Sequence, residues 1–367
     1  MILALSFRED LHAIAVRRAV RARGVDCHIV ECDAVSGRPG LSWQLTGAPD
    51  GSGAPAAVPT SEGRTVAPAE AEVLWWRRAR ADQQLTMAAM ATARTTASTR
   101  SAASAASATS AASTASTAST ASSDGEGLGA QQVSLVNNDC RGALAGILAA
   151  SFHGTWISPP AATDRASDKI YQLWVARQAG FRVPRTLITQ SRDEVLDFVR
   201  EVGRVIVKPV VGAPGPSLLT RWIENPLALP AESYAVCPAT YQEYVPGRHH
   251  IRLNCFGERM FAARIETDEL DWRPDLRVPI TRWPVPADLA RLVRTTLDRL
   301  GLPMGVIDLK LTPSGEPVWL EVNPQGQFLF LEPITGEPLT EHFADYLISA
   351  TTAGTDAGVV TPALRGA

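Results

Sequence analysis

The chain opens on an apolar run, Ile2 to Phe7, followed by Leu11-His12-Ala13-Ile14-Ala15-Val16 with Ala19 and Val20, where apolar positions recur at helical spacing until Gly24. The first pattern predicts a buried strand and the second an amphipathic helix ended by glycine. Val25 to Glu31 returns to strand character, so a strand-helix-strand unit predicts an α/β domain at the start of the chain. Between Arg38 and Ala67 the composition turns to Gly, Pro and Ala, with one short strand expected at Leu41 to Leu45, and Val73-Leu74-Trp75-Trp76-Arg77-Arg78 restores strand character. Further on, Asn137-Asn138-Asp139 predicts the cap of a helix running through Leu144, Ile147 and Leu148 to about Ser151. Trp156-Ile157-Ser158-Pro159-Pro160 then closes the first domain.

The second half alternates short strands with helices. Ser167 or Asp168 caps a helix with Ile170, Leu173, Trp174 and Ala176 on its buried side, ending at Gly180. Val183 to Thr189 predicts a strand, Asp193 to Glu201 a helix, and Arg204-Val205-Ile206-Val207-Lys208 a strand ended by Pro209. Strands follow at Thr240 to Tyr244, Ile251 to Phe256 and Arg259 to Ile265, with a helix over Ala287 to Leu300. Strands grouped with helices to one side predict an α+β half behind the α/β opening unit.

Composition changes this picture in one place. From about Thr86 to Gly127 the chain is almost wholly Ala, Ser and Thr. Dense serine and threonine lower helix propensity and no large apolar face is present. The stretch is expected to be a disordered insertion or flexible spacer, the alternative being a lone solvent-exposed helix. The domain reading is therefore an N-terminal α/β domain over residues 1–85, the insertion over 86–130, completion of the first domain over 131–160, the α+β half over 161–350, and a flexible tail over 351–367.

Charge and cysteines narrow the function classes. The 367 residues carry 35 Lys and Arg against 38 Asp and Glu, a formal charge of -3. That balance gives no electrostatic footprint for nucleic acid or an anionic membrane, so neither is expected as a partner. The apolar start lacks a basic flank and is broken by Arg8-Glu9-Asp10, and no later run approaches a membrane span. A soluble, cytoplasmic protein is expected. The five cysteines, Cys27, Cys32, Cys140, Cys237 and Cys255, form no C-x-x-C pair and argue against a disulfide framework or a zinc site.

The candidate chemistry lies late in the chain. Gly305-Val306-Ile307-Asp308-Leu309-Lys310 and Trp319-Leu320-Glu321-Val322-Asn323 read as two apolar strands bearing oxygen ligands. Alternate side chains share a face, so Glu321 and Asn323 project together while Leu320 and Val322 point into the core, and Asp308 sits the same way on its strand. Magnesium takes one or two protein carboxylates and completes its shell with water and phosphate oxygens. Asp308, Glu321 and Asn323 fit that demand. Lys208 ends a β-branched run and is rigidly aimed, and Lys169 stands in the first turn of a helix, where backbone amides also favour anions. Tyr241-Gln242-Glu243-Tyr244-Val245-Pro246-Gly247 reads as a strand entering a turn, whose backbone can read an adenine edge while Tyr244 or Val245 lines its face; an ordinary edge strand ended by Pro-Gly reads equally well.

In this order Lys169, Val207-Lys208-Pro209, the Gln242 to Val245 linker, Ile251-Arg252-Leu253, Asp308, Glu321 and Asn323 resemble the ATP-grasp ligases over about Ala130 to Leu347. More narrowly, Leu74-Trp75-Trp76-Arg77-Arg78, Asp271-Trp272-Arg273 and Asn323 to Glu332 look like the ATP-grasp maturases that install side-chain esters or amides in ribosomally made peptides of the microviridin (graspetide) type. The resemblance implies an α/β domain followed by an α+β ATP-grasp fold whose two subdomains grip ATP. It implies a carboxylate-activating, ADP-forming ligase acting through an acyl phosphate. Lys169 and Lys208 would hold the α- and β-phosphates, Gln242, Glu243, Tyr244 and Val245 the adenine, and Asp308, Glu321 and Asn323 two magnesium ions. The partner would be a precursor peptide, and a homodimer is allowed. Phosphoryl transfer depends on alignment and charge neutralisation, so Arg252 and Arg264 on neighbouring strands, with Arg273 nearer the substrate, are the candidate catalytic residues, each with a surface ion pair as its alternative.

Departures from the pattern are visible. His249-His250 replaces an acidic residue common before the Ile-Arg pair, and a metal site there is disfavoured because adjacent strand residues face opposite ways. The phosphate-covering loop, Gly212-Ala213-Pro214-Gly215-Pro216-Ser217, is stiffened by two prolines that remove donor amides, which fits slow turnover or a lid completed by the substrate. The rival readings are a RimK-like ligase that adds glutamate or another amino acid to a carboxylate, and a non-catalytic scaffold binding ATP and peptide.

Overall fold

The computed structural model describes residues 1–45, 56–77, 129–211 and 220–353. The expected insertion, Arg78, the phosphate-covering loop and most of the tail lie outside the described residues. The chain divides into two compact units, one formed by 1–155 with 348–367 and the other by 156–347.

In the first unit β1 (Ile2–Ser6) pairs in parallel with β2 (Cys27–Glu31) and with β5 (Val73–Trp76). Every residue of β1 is buried, as the unbroken apolar run requires. Helix α1 (Leu11–Ala22) is capped by the Asp10 carboxylate, which accepts from the His12 amide, and it buries Ala13, Val16, Ala19 and Val20. The two-residue strands β3 (Val58–Pro59) and β4 (Thr65–Val66) form a small hairpin. Ser42 makes only an isolated bridge to Ala57, so the strand expected at Leu41 to Leu45 is not formed. Helix α2 (Ala130–Ser151) begins well before Asn137, which with Asn138 and Asp139 lies inside it. The cap expected there is corrected to Gly129, whose amide donates to the Gln132 side chain. Strand β6 (Thr155–Ile157) leads out of this unit.

The second unit holds two antiparallel sheets. The smaller has the order β7 (Thr186–Thr189), β10 (Ala239–Glu243), β8 (Val205–Pro209), β9 (Arg221–Trp222). Val195 and the half-buried Phe198 of α5 (Arg192–Val202) pack on it with Tyr234 and Tyr241. The larger has the order β13 (Ile280–Trp283), β12 (Arg259–Glu266), β11 (His249–Phe256), β14 (Met304–Leu311), β15 (Pro317–Asn323). One face of it carries Ile251, Leu253, Ile307, Leu309 and Trp319 into a core shared with α3 (Pro160–Ser167), α4 (Lys169–Ala179) and α6 (Ala287–Leu300). The opposite face of its central strands carries the polar residues taken up below.

Helix α4 follows its expected bounds, capped by Asp168 and ended by Gly180 at φ +106°, and its expected face in part, with Ala176 buried and Leu173 packed against the core. Ile170 and Trp174 are exposed, while Gln172, Val175 and Ala176 are buried. The reason is Gln172, whose amide group accepts from the Val322 N–H at 2.8 Å and donates to the Val322 carbonyl at 3.0 Å, and also donates to the Ala166 carbonyl. A side chain that satisfies backbone groups of β15 turns that face inward. Among the described residues no helix is long and apolar enough to cross a membrane.

Candidate active site

The polar face of β11 and β14 follows from register. Arg252 lies opposite both Asp308 and Ala263, and Asp308 lies opposite Glu321. Directly paired residues of antiparallel strands share a face. Arg252, Asp308 and Glu321 therefore form one row across three strands, with His250 and Lys310 paired in the next row. Arg264 pairs with Ile251, a residue of the apolar core, and so lies on the other face. The structure does not bring Arg264 to Arg252, and its expected catalytic placement is corrected for that reason of parity.

Between Asp308 and Leu309 the register of β14 and β15 shifts, pairing Asp308 with Glu321 but Leu309 with Trp319. Leu320 is the extra residue of this bulge. The alternation expected from sequence breaks there. Trp319 and Val322 enter the core, whereas Leu320 is half-buried and lines a cleft of about 250 Å³ beside Lys169, Lys208, His250, Asp271, Trp272, Arg273, Asp308 and Glu321. Most of the predicted charged groups thus meet in one place, contributed by both sheets and by the N-terminus of α4.

The pairings inside the cleft are specific. Lys169 Nζ donates to Glu321 Oε2 at 2.5 Å. Arg252 Nη1 donates to Asp308 Oδ2 at 2.7 Å, and its Nη2 donates to the Gln327 carbonyl at 3.1 Å. Lys208 Nζ donates to Gln242 Oε1 at 3.0 Å, and Gln242 in turn donates to Thr186 Oγ1. Arg273 is held by Asp271 through Nε at 2.8 Å and Nη2 at 2.5 Å.

Electrostatics separate the two carboxylates. Burial, aided by the Glu321 charge, pushes Asp308 up, against the opposing pull of Arg252 and Arg273. Burial pushes Glu321 up too, but Lys169, by charge and by hydrogen bond, together with Lys208 and Arg273 outweighs it, and Glu321 stays below the usual carboxylate range. The Lys208 ammonium is lowered to about 8, first by burial and then by Lys169 and Arg273, with Glu321 opposing. His250 is lowered to about 4 by burial and by the Lys310 charge, so its imidazole is neutral near pH 7.

The side chains of the predicted linker residues have partners of their own. Gln242 is buried and fixes Lys208. Glu243 faces away from the cleft, accepting from the Arg185 amide at 3.0 Å and approaching Arg182 at 3.5 Å. The Tyr244 ring is taken up by Arg204 at 4.5 Å, Lys310 at 5.0 Å and the Trp222 ring at 4.7 Å, and the Val245 side chain is buried. None of these four side chains lines the cleft. Asn323 Oδ1 accepts from the amides of Gln325 at 3.0 Å and Gly326 at 3.2 Å, so both its lone pairs hold the turn after β15. His249 and His250 face opposite ways, the first toward Glu266 and the second into the cleft.

Whether this cleft fits magnesium and a nucleotide is answered by its unsatisfied atoms. Asp308 Oδ1 is buried without a hydrogen-bond partner, as are Arg252 Nε and His250 Nε2. A buried carboxylate oxygen of this kind is complemented by a cation. Lys169 and Lys208 answer to phosphate oxygens. The Lys169–Glu321 ion pair can be matched charge for charge by a phosphate and a magnesium ion. The donor set fits. Gln172, the residue that ties the backbone beside Glu321 to the helix starting at Lys169, was not singled out from the sequence; its signal is a polar residue among apolar helix positions.

No protein-family model and no curated protein gives a significant sequence match. Solved structures do resemble this one. The macrocyclase MdnC bound with precursor peptide MdnA, from Microcystis aeruginosa MRC, is 23% identical with a TM-score of 0.73, over 95% of this chain and 99% of that one. A RiPP-associated ATP-grasp ligase of Chryseobacterium gregarium, in complex with ADP and a leader and core peptide, is 20% identical with a TM-score of 0.74, over 95% and 96%. The ATP-grasp ligase PsnB complexed with minimal precursor, Mg and ADP is 20% identical with a TM-score of 0.67, over 95% and 97%. With likenesses that span nearly the whole of each chain, the protein has the ATP-grasp fold.

Proposed function

We propose that this protein is an ATP- and magnesium-dependent, ADP-forming ligase that joins an acidic side chain of a ribosomally made precursor peptide to a hydroxyl or amine of the same peptide. The observation that carries this reading is the row Arg252–Asp308–Glu321 facing Lys169, Lys208 and Arg273 in one cleft, with a buried Asp308 oxygen left unpaired. Support for the peptide comes from the solved structures of the same fold that hold precursor peptides, one of them with magnesium and ADP.

In this reading Asp308 and Glu321 hold magnesium, Lys169 and Lys208 hold phosphates, and the two sheets grip the nucleotide between them. ATP supplies the phosphoryl group that converts the substrate carboxylate to an acyl phosphate. Gln242 keeps Lys208 aimed, since its Oε1 fixes an ammonium that is otherwise free to rotate. Arg252, held by Asp308 and the Gln327 carbonyl, presents a rigid guanidinium to developing negative charge. Arg273 keeps donors unused by Asp271 and turns them to a carboxylate at the mouth. Asn323 shapes the turn beneath the site.

Coexpression with a small Thr/Ser- and Asp/Glu-rich peptide encoded next to the gene, followed by mass spectrometry, tests the reading. The expected result is loss of the mass of water per cross-link, with release of ADP and phosphate. A gain of an amino-acid residue would instead establish the glutamate-adding type, and an unchanged peptide that still binds would establish a scaffold.

A further inference from the structure

The loop after β12 brings Asp271, Trp272 and Arg273 to the rim of the cleft. Asp271 accepts from the Arg273 amide at 3.1 Å as well as from its guanidinium, so the loop is braced at this point. Trp272 does not sink into the core. Its ring is half-buried, lines the cleft and stacks on the equally half-buried ring of Phe330, centroids 5.8 Å apart and planes 26° from parallel. Phe330 comes from the short helical turn Leu329–Leu331, whose neighbours Phe328 and Leu331 are fully buried and anchor it. Two large rings thus stack with part of their apolar surface exposed, and Trp272 lines the same cleft as Arg273, Asp308 and Glu321.

We propose that the Trp272–Phe330 pair is a specificity-determining ledge that receives an apolar side chain adjacent in sequence to the reacting acidic residue of the peptide. The proposal rests on the peptide-ligase reading and names what that peptide must present. A free acidic amino acid carries no apolar side chain beside its carboxylate. A peptide does, because a carboxylate docked on Arg273 leaves its neighbouring residue beside the cleft that Trp272 also lines. An extended chain places consecutive Cα atoms about 3.8 Å apart. Rigid aromatic surface beside a fixed charge is also how recognition sites gain selectivity at low entropic cost.

The test uses the full chain with magnesium and ADP, and two blocked dipeptides as probes: N-acetyl-Phe-Glu-amide and N-acetyl-Ala-Glu-amide. Their dissociation constants are measured by ligand-observed NMR on the wild type, Trp272→Ala, Trp272→Phe and Phe330→Ala. The expected result is that the Phe-Glu probe binds roughly fivefold more tightly than the Ala-Glu probe, the factor one aromatic contact supplies. Trp272→Ala and Phe330→Ala should erase that preference, and Trp272→Phe should restore most of it. Equal binding of the two probes, no binding of either, or a preference that survives both alanine variants would overturn the ledge. ADP binding measured on the same samples keeps the two readings apart: loss of ADP affinity in the wild type counts against the nucleotide site, whereas normal ADP affinity without probe discrimination counts against the ledge alone.

Discussion

At the scale of single residues, position within a row decides chemistry more than residue type does. Arg252 and Arg264 are both arginines on neighbouring strands, yet one faces Asp308 and the other shares a face with Ile251. Arg264→Ala should therefore leave kcat for peptide modification within about threefold of wild type, whereas Asp308→Asn should lower it by at least ~10²-fold, as expected when a charge-neutralising group is lost. Steady-state ADP release measures both. Lys208 adds a dependence on pH. Its ammonium titrates near 8, below the ordinary lysine value, because burial and neighbouring cations disfavour the charged form. It is protonated and able to hold phosphate below that pH and loses its charge above it. A bound phosphate raises the same pKa, so ATP affinity should fall as pH rises from 7 to 9, by up to about tenfold per unit above 8. A KM for ATP flat across that range would count against Lys208 as a phosphate ligand.

At the scale of elements, two local devices set the site. The bulge at Leu320 sends Glu321 toward Asp308 while keeping Trp319 in the core, and Gln172 locks β15 to the helix that begins at Lys169. Gln172→Leu removes the partner of two backbone groups buried at Val322, and should cost roughly 2–4 kcal/mol of stability, read as a lowered denaturation midpoint. Gly247, after the linker, has φ +127°, and a Cβ there would meet the Leu311 carbonyl oxygen at 2.2 Å. Gly247→Ala should destabilise by about 2 kcal/mol or more, since both the backbone conformation and the close approach resist a side chain. Element existence was legible in the sequence wherever a long periodic run was bounded by a cap or breaker, as for Leu11–Ala22 and Ala287–Leu300. The inward face of Lys169–Ala179 was legible only at Leu173 and Ala176, because hydrophobicity also favours Ile170 and Trp174 and cannot anticipate that Gln172 finds the Val322 backbone.

At the scale of the whole second unit, stability and ligand binding are expected to be coupled. Groups drawn from β8, β11, β14, β15 and the start of α4 meet at one cleft, so a ligand spanning them ties these elements together. Magnesium with ADP at about a hundred times its dissociation constant should add roughly 2.7 kcal/mol to the stability of the unit. Differential scanning fluorimetry should show this as a rise in Tm for the wild type that is largely lost in Lys208→Ala and Glu321→Gln. An equal rise in both variants would place the nucleotide elsewhere.

The sequence by itself determined buried strands such as Ile2–Ser6, helices such as Leu11–Ala22 and Lys169–Ala179 with their Asp caps, and the residue types of the site. The oxygen donors Asp308 and Glu321 and the lysines Lys169 and Lys208 stood out by their place on apolar strands and at a helix start, whereas Arg252 and Arg273 were named through the family resemblance. What only the tertiary structure decided was which of these meet. Face parity set Arg264 apart, a one-residue register shift moved Leu320 from core to cleft, and hydrogen bonds tied Asn323 Oδ1 to the turn after β15 and Gln242 Oε1 to Lys208. Periodicity is a property of one strand, whereas register and pairing belong to two strands at once. A local pattern can propose a ligand, but only the partner strand fixes where it points.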